Sequence, residues 1–276
     1  MNRIGVMVVV RENTDFLQEF EKLQGYGFTC CQLSMWDPEQ FTDAVAAEIR
    51  HASEVTGVEV STLWCGWTGP TEWNFTGGPM TLGLVPPTYR MKRAEQLIKG
   101  GEFAEKLGVR RVATHVGFLP ENLNDPEYLG ILAVLRWVIG SYAKRGISFL
   151  FETGQETPTT LLRVIEELGM DNIGINMDTA NLILYGKANS ADAITVFGKY
   201  VMDTHIKDGF YPTNGKNLGR EVKVGEGMAN LPEVVRRLRA VGYKGNYIIE
   251  REIEGDQQIK DILDTKQYLE HILKEA

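Results

Sequence analysis

A short apolar run followed by a longer stretch with helical spacing recurs along this chain, and that alternation limits its fold more than any other feature. The apolar runs are 4–10, 29–34, 58–63, 111–115, 148–152, 173–178, 201–205 and 247–250, each flanked by turn residues. Between them, Ala94, Leu97, Ile98, Ala104 and Leu107 recur at three- and four-residue steps, as on a helix buried on one face. Leu161, Leu162, Val164, Ile165 and Leu168 do the same after Thr157-Pro158, an N-cap and N1 pair. A third stripe, Leu231, Val234, Val235, Leu238 and Val241, is entered through Asn230 and Pro232. The last helix is expected over 256–274, carrying Ile259, Ile262, Leu263, Leu269 and Ile272. Eight strands alternating with eight helices imply a parallel sheet, because parallel neighbours need a crossover. Eight units in a chain of 276 residues is the size of a closed α/β barrel, (β/α)8. An open doubly wound sheet would usually carry a GxGxxG turn after its first strand, and Val10-Arg11-Glu12-Asn13 is not one. No linker or low-complexity tract divides the chain, so residues 1–276 read as one barrel domain.

Charge and cysteine content remove several function classes. Net charge is −8, with acids and bases mixed, and no basic run offers a nucleic-acid surface. The apolar N-terminal run stops at Arg11-Glu12, too short for a signal h-region or a membrane span. The expectation is a cytoplasmic protein with no membrane partner. Cys30, Cys31 and Cys65 are sparse and odd in number, and none forms a CxxC zinc spacing. They read as small buried hydrophobes.

The segment after the third run, "WCGWTGPTEWNFTGGPMTLGLVPPT", is unusually long and holds Trp64, Trp67, Trp73 and Phe75 among five glycines and four prolines. Long loops in compact domains are mostly lids or binding loops. These aromatics serve either to stack on sugar C–H faces or to pin the loop, and Trp64 and Trp67 are taken as substrate contacts.

Four later runs each end on a side chain able to bind a metal. "FLFE" ends on Glu152, "GINMD" on Asp178, "VMDTH" on His205 and "NYIIE" on Glu250. The first three lie 26 and 27 residues apart, one βα unit each. In a parallel barrel these tips converge on the rim where barrel active sites sit. Three carboxylates cannot converge uncompensated, because each pushes its neighbours toward protonation. One divalent cation removes that penalty, and the oxygen-rich set with one imidazole suits Mn²⁺ or Mg²⁺, with Co²⁺ or Zn²⁺ as alternatives.

"FET", "NMDTANL", "HIKDG", the Gly225-Glu226-Gly227 turn and "IIERE" occur in that order, and together the chain resembles the xylose-isomerase-like TIM barrels, the sugar phosphate isomerases and epimerases. The resemblance to the ketose 3-epimerases implies that Glu152, Asp178, His205 and Glu250 hold one divalent metal. It also implies that Glu152 and Glu250 are the acid/base pair on opposite faces of the substrate. A metal-polarised carbonyl makes its α-proton removable through an enediolate; one carboxylate removes the proton and the other returns one. The pattern departs at Asn181, where those epimerases carry a histidine. Related barrels use the same site for aldose–ketose isomerisation, for dehydration of keto-inositols and for elimination from 3-keto-glycosides. A metal-dependent lyase therefore stands beside the isomerase or epimerase, and a non-catalytic sugar binder is the third reading. The endonuclease branch needs more histidine ligands than the four histidines here, two of which, His51 and His271, fall in helical stretches.

Other expected substrate contacts are His115 at the fourth strand end, Asn181, and Lys207, which shares a strand face with His205. Gln155 and Glu156 follow Glu152 as hydroxyl-binding candidates. Asp208 is expected to cap its loop and Arg251 to make a structural ion pair. Arg220 and Lys223 are the phosphate candidates, but no P-loop cradle accompanies them, which favours an unphosphorylated sugar or polyol. Homo-oligomers are common in such barrels, and no interface can be read from the chain.

Overall fold

The computed structural model describes residues 2–275. Eight parallel strands close into a barrel: β1 (Ile4–Val10), β2 (Cys30–Met35), β3 (Glu59–Cys65), β4 (Arg111–Thr114), β5 (Ser148–Glu152), β6 (Ile173–Asp178), β7 (Val201–Ile206) and β10 (Tyr247–Ile249), which pairs back to β1. A two-stranded antiparallel hairpin, β8 (Asp208–Phe210) with β9 (Arg220–Val222), rises from the loop after β7. The helices are α1 (Phe16–Gly25), α2 (Asp43–Thr56), α3 (Gly78–Thr81), α4 (Pro87–Leu107), α5 (Tyr128–Ala143), α6 (Pro158–Leu168), α7 (Asn181–Leu184), α8 (Ser190–Phe197), α9 (Leu231–Ala240) and α10 (Asp256–Glu275). The short α3 and α7 sit within loops; the other eight follow the strands in turn.

Strands enclosed by helices on one side and by each other on the other are buried on both faces. β2 and β6 are buried at every position, which is why their sequences read as near-continuous apolar runs. The helices begin where the sequence predicts. Thr157 accepts from the Thr160 N–H at 3.3 Å with Pro158 at the first helical position, and Asp15, Thr42 and Asn189 cap α1, α2 and α8 in the same way. Gly57, Gly108 and Gly169 end α2, α4 and α6 at positive φ. The main apolar core lies between barrel and helices, and a smaller one of Trp64, Trp67, Ala113 and Leu150 packs with Met7, Trp36 and Met202. The three cysteines are free and buried within the barrel wall. No helix among the described residues is long and apolar enough to cross a membrane.

Candidate metal centre and its cavity

The strand registers level the tips of β5, β6, β7 and β10. Asp178 pairs with His205, Glu152 with Asn176, and Ile249 with Ile206. As a result Glu152, Asp178, His205 and Glu250 each offer one ligand atom, and these atoms all lie within 4.8 Å of one another. His205 Nδ1 is 2.8 Å from Glu152 Oε1 and 3.2 Å from Glu250 Oε2. Asp178 Oδ1 is taken by the N–H groups of Ala180 and Asn181, at 2.7 and 2.8 Å. Its Oδ2 is left facing Lys207 Nζ at 3.1 Å. Lys207, itself buried, also reaches Glu250 Oε2 at 3.1 Å and Glu252 Oε1 at 3.2 Å.

Burial pushes the Asp178 carboxyl up to about 7, against the pull of Lys207. Burial also opposes charge on Glu250, but Lys207 and His205 outweigh it and hold that carboxyl well below its ordinary value. For His205, burial favours the neutral ring, yet Glu152 and Glu250 beside it push its pKa well above the usual imidazole range.

A divalent cation fits this donor set. Asp178 Oδ2 and His205 Nδ1 are buried and make no hydrogen bond. With a neutral imidazole, three carboxylates against the Lys207 ammonium leave two negative charges, the charge of one such ion. Carboxylate oxygens and one imidazole nitrogen are the ligands that Mn²⁺ and Mg²⁺ prefer and that Co²⁺ and Zn²⁺ accept.

Through Glu152 and Glu250 the quartet borders a cavity of about 360 Å³, within the range that holds a small molecule. Glu152, Glu250, Lys207, Asn181 and His115 supply its polar wall. Trp36, Trp64, Trp73 and Tyr185 supply much of the apolar one. His115 lies one residue past the end of β4, with its ring 5.8 Å from that of Trp64 and 5.2 Å from that of Trp73. Burial lowers its pKa to about 4, so the ring is neutral at pH 7, and its Nδ1 has no protein partner.

Three of the expected substrate contacts lie elsewhere. Trp67 does not line the cavity: it is buried behind Trp36 and Trp64, beneath the Arg93 guanidinium at 5.3 Å from its ring. The pinning role thus falls to Trp67, while Trp64 faces the cavity. Gln155 and Glu156 are also buried and outside the lining. The segment runs under α7 rather than along the cavity: a Cβ on Gly154 would stand 3.3 Å from Asn181 Cβ and 3.5 Å from the Tyr185 ring. Burial pushes the Glu156 carboxyl up to about 8.

Asp208 caps its loop, accepting from the N–H groups of Gly225, Gly227 and Ala229 at 2.9–3.0 Å. Arg251 pairs with Glu221 at 2.8 Å and Asp261 at 2.9 Å, outside the barrel. Lys223 pairs with Asp264, and Arg220 lies over the Phe210 ring; neither lines the cavity.

Sequence reasoning passed over Trp36 and Glu252 on the cavity wall, and two amides below it. Gln32 and Asn176 are fully buried inside the barrel and join His205 to Glu152. The signal for them was present: a lone amide in each of the apolar runs "CCQLSM" and "IGINMD".

Comparison with known proteins agrees with this architecture. The family model described as "Xylose isomerase-like TIM barrel" matches residues 20–272. The crystal structure of a xylose isomerase domain protein from Planctomyces limnophilus is 30% identical, covers 99% of this chain and 98% of its own, and superposes with a TM-score of 0.92. The 3-keto-D-glucoside 4-epimerase YcjR from E. coli is 17% identical over 98% of this chain and 100% of its own, with a TM-score of 0.73, a likeness of fold alone. The uncharacterized protein MJ1311 of Methanocaldococcus jannaschii is 28% identical over 119 residues, 43% of this chain. The match spans only 37% of that protein's length.

Proposed function

Because this chain belongs to the xylose isomerase-like TIM barrel family, we propose that it is a metal-dependent sugar isomerase or epimerase that moves a proton at the carbon next to a carbonyl. The observation that carries the proposal is the meeting of four ligand atoms within 4.8 Å, two of them from the cavity-lining carboxylates Glu152 and Glu250. A divalent ion held by Glu152, Asp178, His205 and Glu250, Mn²⁺ being the best match, would polarise the substrate carbonyl and so acidify its α C–H.

The residues then divide the remaining work. Glu250 meets His205 and Lys207 through Oε2 and so keeps Oε1 for the proton, while Glu152, its Oε2 held by Asn176, works through the cavity-side Oε1; one removes the α-proton and the other delivers one from the opposite face. Lys207, held between Asp178, Glu250 and Glu252, offsets their negative charge and presents its ammonium to a substrate oxygen. Neutral His115 and Asn181 orient hydroxyls, and Trp64 and Trp73 cover the sugar's C–H face and exclude water. The cavity wall offers no arginine, and its lysine is already matched by carboxylates, which supports an unphosphorylated sugar or polyol as substrate.

The test is proton NMR in D₂O with Mn²⁺- or Mg²⁺-loaded protein (the spectra taken after metal removal) and a panel of ketoses, inososes and 3-keto-glycosides. The expected result is deuterium at the α-carbon without loss of water or aglycone. Loss of either assigns the protein instead as a lyase on the same site. No exchange with any substrate, the metal being bound, leaves a binding protein. Glu152→Gln and Glu250→Gln are each expected to slow exchange by about 100-fold or more; full activity in either removes that residue from proton transfer.

A further inference from the structure

We infer that Gln32 and Asn176 form a one-way hydrogen-bond relay that fixes the ring of His205 with Nδ1 bare and turned to the metal. The relay runs from Glu152 through Asn176 and Gln32 to His205, and all four side chains are buried. Its direction follows from chemistry at one end. A carboxylate that ligates a cation only accepts, so the group Asn176 turns to Glu152 Oε2 is its NH₂. Asn176 Oδ1 is then the acceptor for the Gln32 amide, at 3.0 Å from Gln32 Nε2. That leaves Gln32 Oε1 facing His205 Nε2 at 2.9 Å. An amide oxygen can only accept, so Nε2 carries the hydrogen, and a neutral ring with Nε2–H has its lone pair on Nδ1.

Nδ1 is the nitrogen that lies among the carboxylates, 2.8 Å from Glu152 Oε1 and 3.2 Å from Glu250 Oε2. It makes no hydrogen bond of its own. The same carboxylate therefore acts twice: one Glu152 oxygen faces the ligand nitrogen, and the other sets, through two amides, which nitrogen that is. Gln32 and Asn176 are positioning residues; neither lines the cavity nor reaches a substrate. Amides in the barrel interior would otherwise be costly, since each buried polar group must find a partner.

The inference rests on the quartet holding a cation, so metal binding by the native protein is measured first, by Co²⁺ titration and calorimetry. A native protein that binds no divalent ion overturns both readings. Given binding, ¹⁵N NMR of the Zn²⁺-loaded native protein is expected to show His205 with a proton on Nε2 and the metal on Nδ1. The reverse assignment overturns the relay alone and leaves the proposed activity untouched. Gln32→Met keeps the side-chain length and removes the acceptor. It is expected to weaken Co²⁺ binding about 10- to 100-fold and to shift the Co²⁺ absorption bands. Gln32→Glu restores the acceptor for Nε2–H but not the donor to Asn176 Oδ1, and is expected to recover part of that loss. Native-like Co²⁺ affinity in a folded Gln32→Met protein, or no recovery in a folded Gln32→Glu protein, overturns the relay. Should neither variant fold, the native ¹⁵N spectrum decides.

Discussion

Glu156 offers a measurement whose size can be worked from the structure. The side chain is only 3% exposed, and burial raises its pKa from 4.5 to about 8. Between those two values the folded protein holds a proton that the unfolded chain has released. Stability from this group is therefore fully present below pH 4.5 and is lost as pH rises toward 8. The slope is about 1.4 kcal/mol per pH unit, so roughly 3 kcal/mol is lost between the unfolded pKa and neutrality. Glu156→Gln keeps the shape of the protonated acid and cannot ionise. Urea unfolding of both proteins at pH 5, 6, 7 and 8 is expected to give a stability difference in favour of the variant that grows by about 1.4 kcal/mol per unit and levels off above pH 8. Parallel stability profiles would mean that Glu156 is ionised inside the fold, and the burial argument would fail. Because Glu156 lies outside the cavity lining, the variant's activity at pH 7 is expected to be close to native.

Other perturbations read separate parts of the molecule. Asp178→Asn is expected to abolish the Mn²⁺-induced rise in melting temperature, which in the native protein corresponds to about 2.7 kcal/mol at 100-fold excess over Kd; an equal rise in the variant removes Asp178 from the ligand set. Arg93 donates to the carbonyls of Thr68, Pro70, Thr81 and Gly83, so Arg93→Met should cost roughly 3–5 kcal/mol and open residues 68–83 to limited proteolysis, whereas native resistance would show that the loop is held by other contacts. Trp73, 41% exposed on the cavity wall, should raise KM about tenfold when replaced by Ala while leaving thermal stability near native; an unchanged KM would exclude it from substrate contact. Gly227→Ala would set a Cβ 2.2 Å from Asp208 Oδ1 and 2.6 Å from the Gly209 nitrogen, so a loss of stability is expected on denaturant unfolding, and a neutral effect would show that the turn can shift.

Much of this was legible because barrel strands carry two kinds of information at once. The apolar stretch locates the strand, and its last inward residue names what reaches the rim. β5 and β6 end where their acids stand, at Glu152 and Asp178, and both were placed from the sequence. Glu250 and His115 each fall one residue past a strand end, a shift too small to change which rim they occupy. The β8–β9 hairpin was not legible. Its strands are three residues long, and Gly219 and Gly209 allow a close approach that no apolar periodicity announces. Gln155 and Glu156 misled for a related reason. Loop residues after a strand tip normally face the cavity, but this segment is buried against α7 instead.

The division of cation duty inside the site explains why one lysine does not suffice there. Lys207 stands to one side of the quartet, against Asp178, Glu250 and Glu252. Its ion pairs among the described residues do not include Glu152, whose Oε1 instead faces His205 Nδ1. An imidazole turned by Gln32 so that its lone pair points at a carboxylate is repelled by it unless a proton or a metal ion comes between. Glu152 and Glu250 accordingly push the His205 pKa well above the ordinary imidazole value, in spite of the full burial that opposes it. Proton and cation thus compete for the same place, and the side of the site that Lys207 leaves uncompensated is the side where the ligand nitrogen waits.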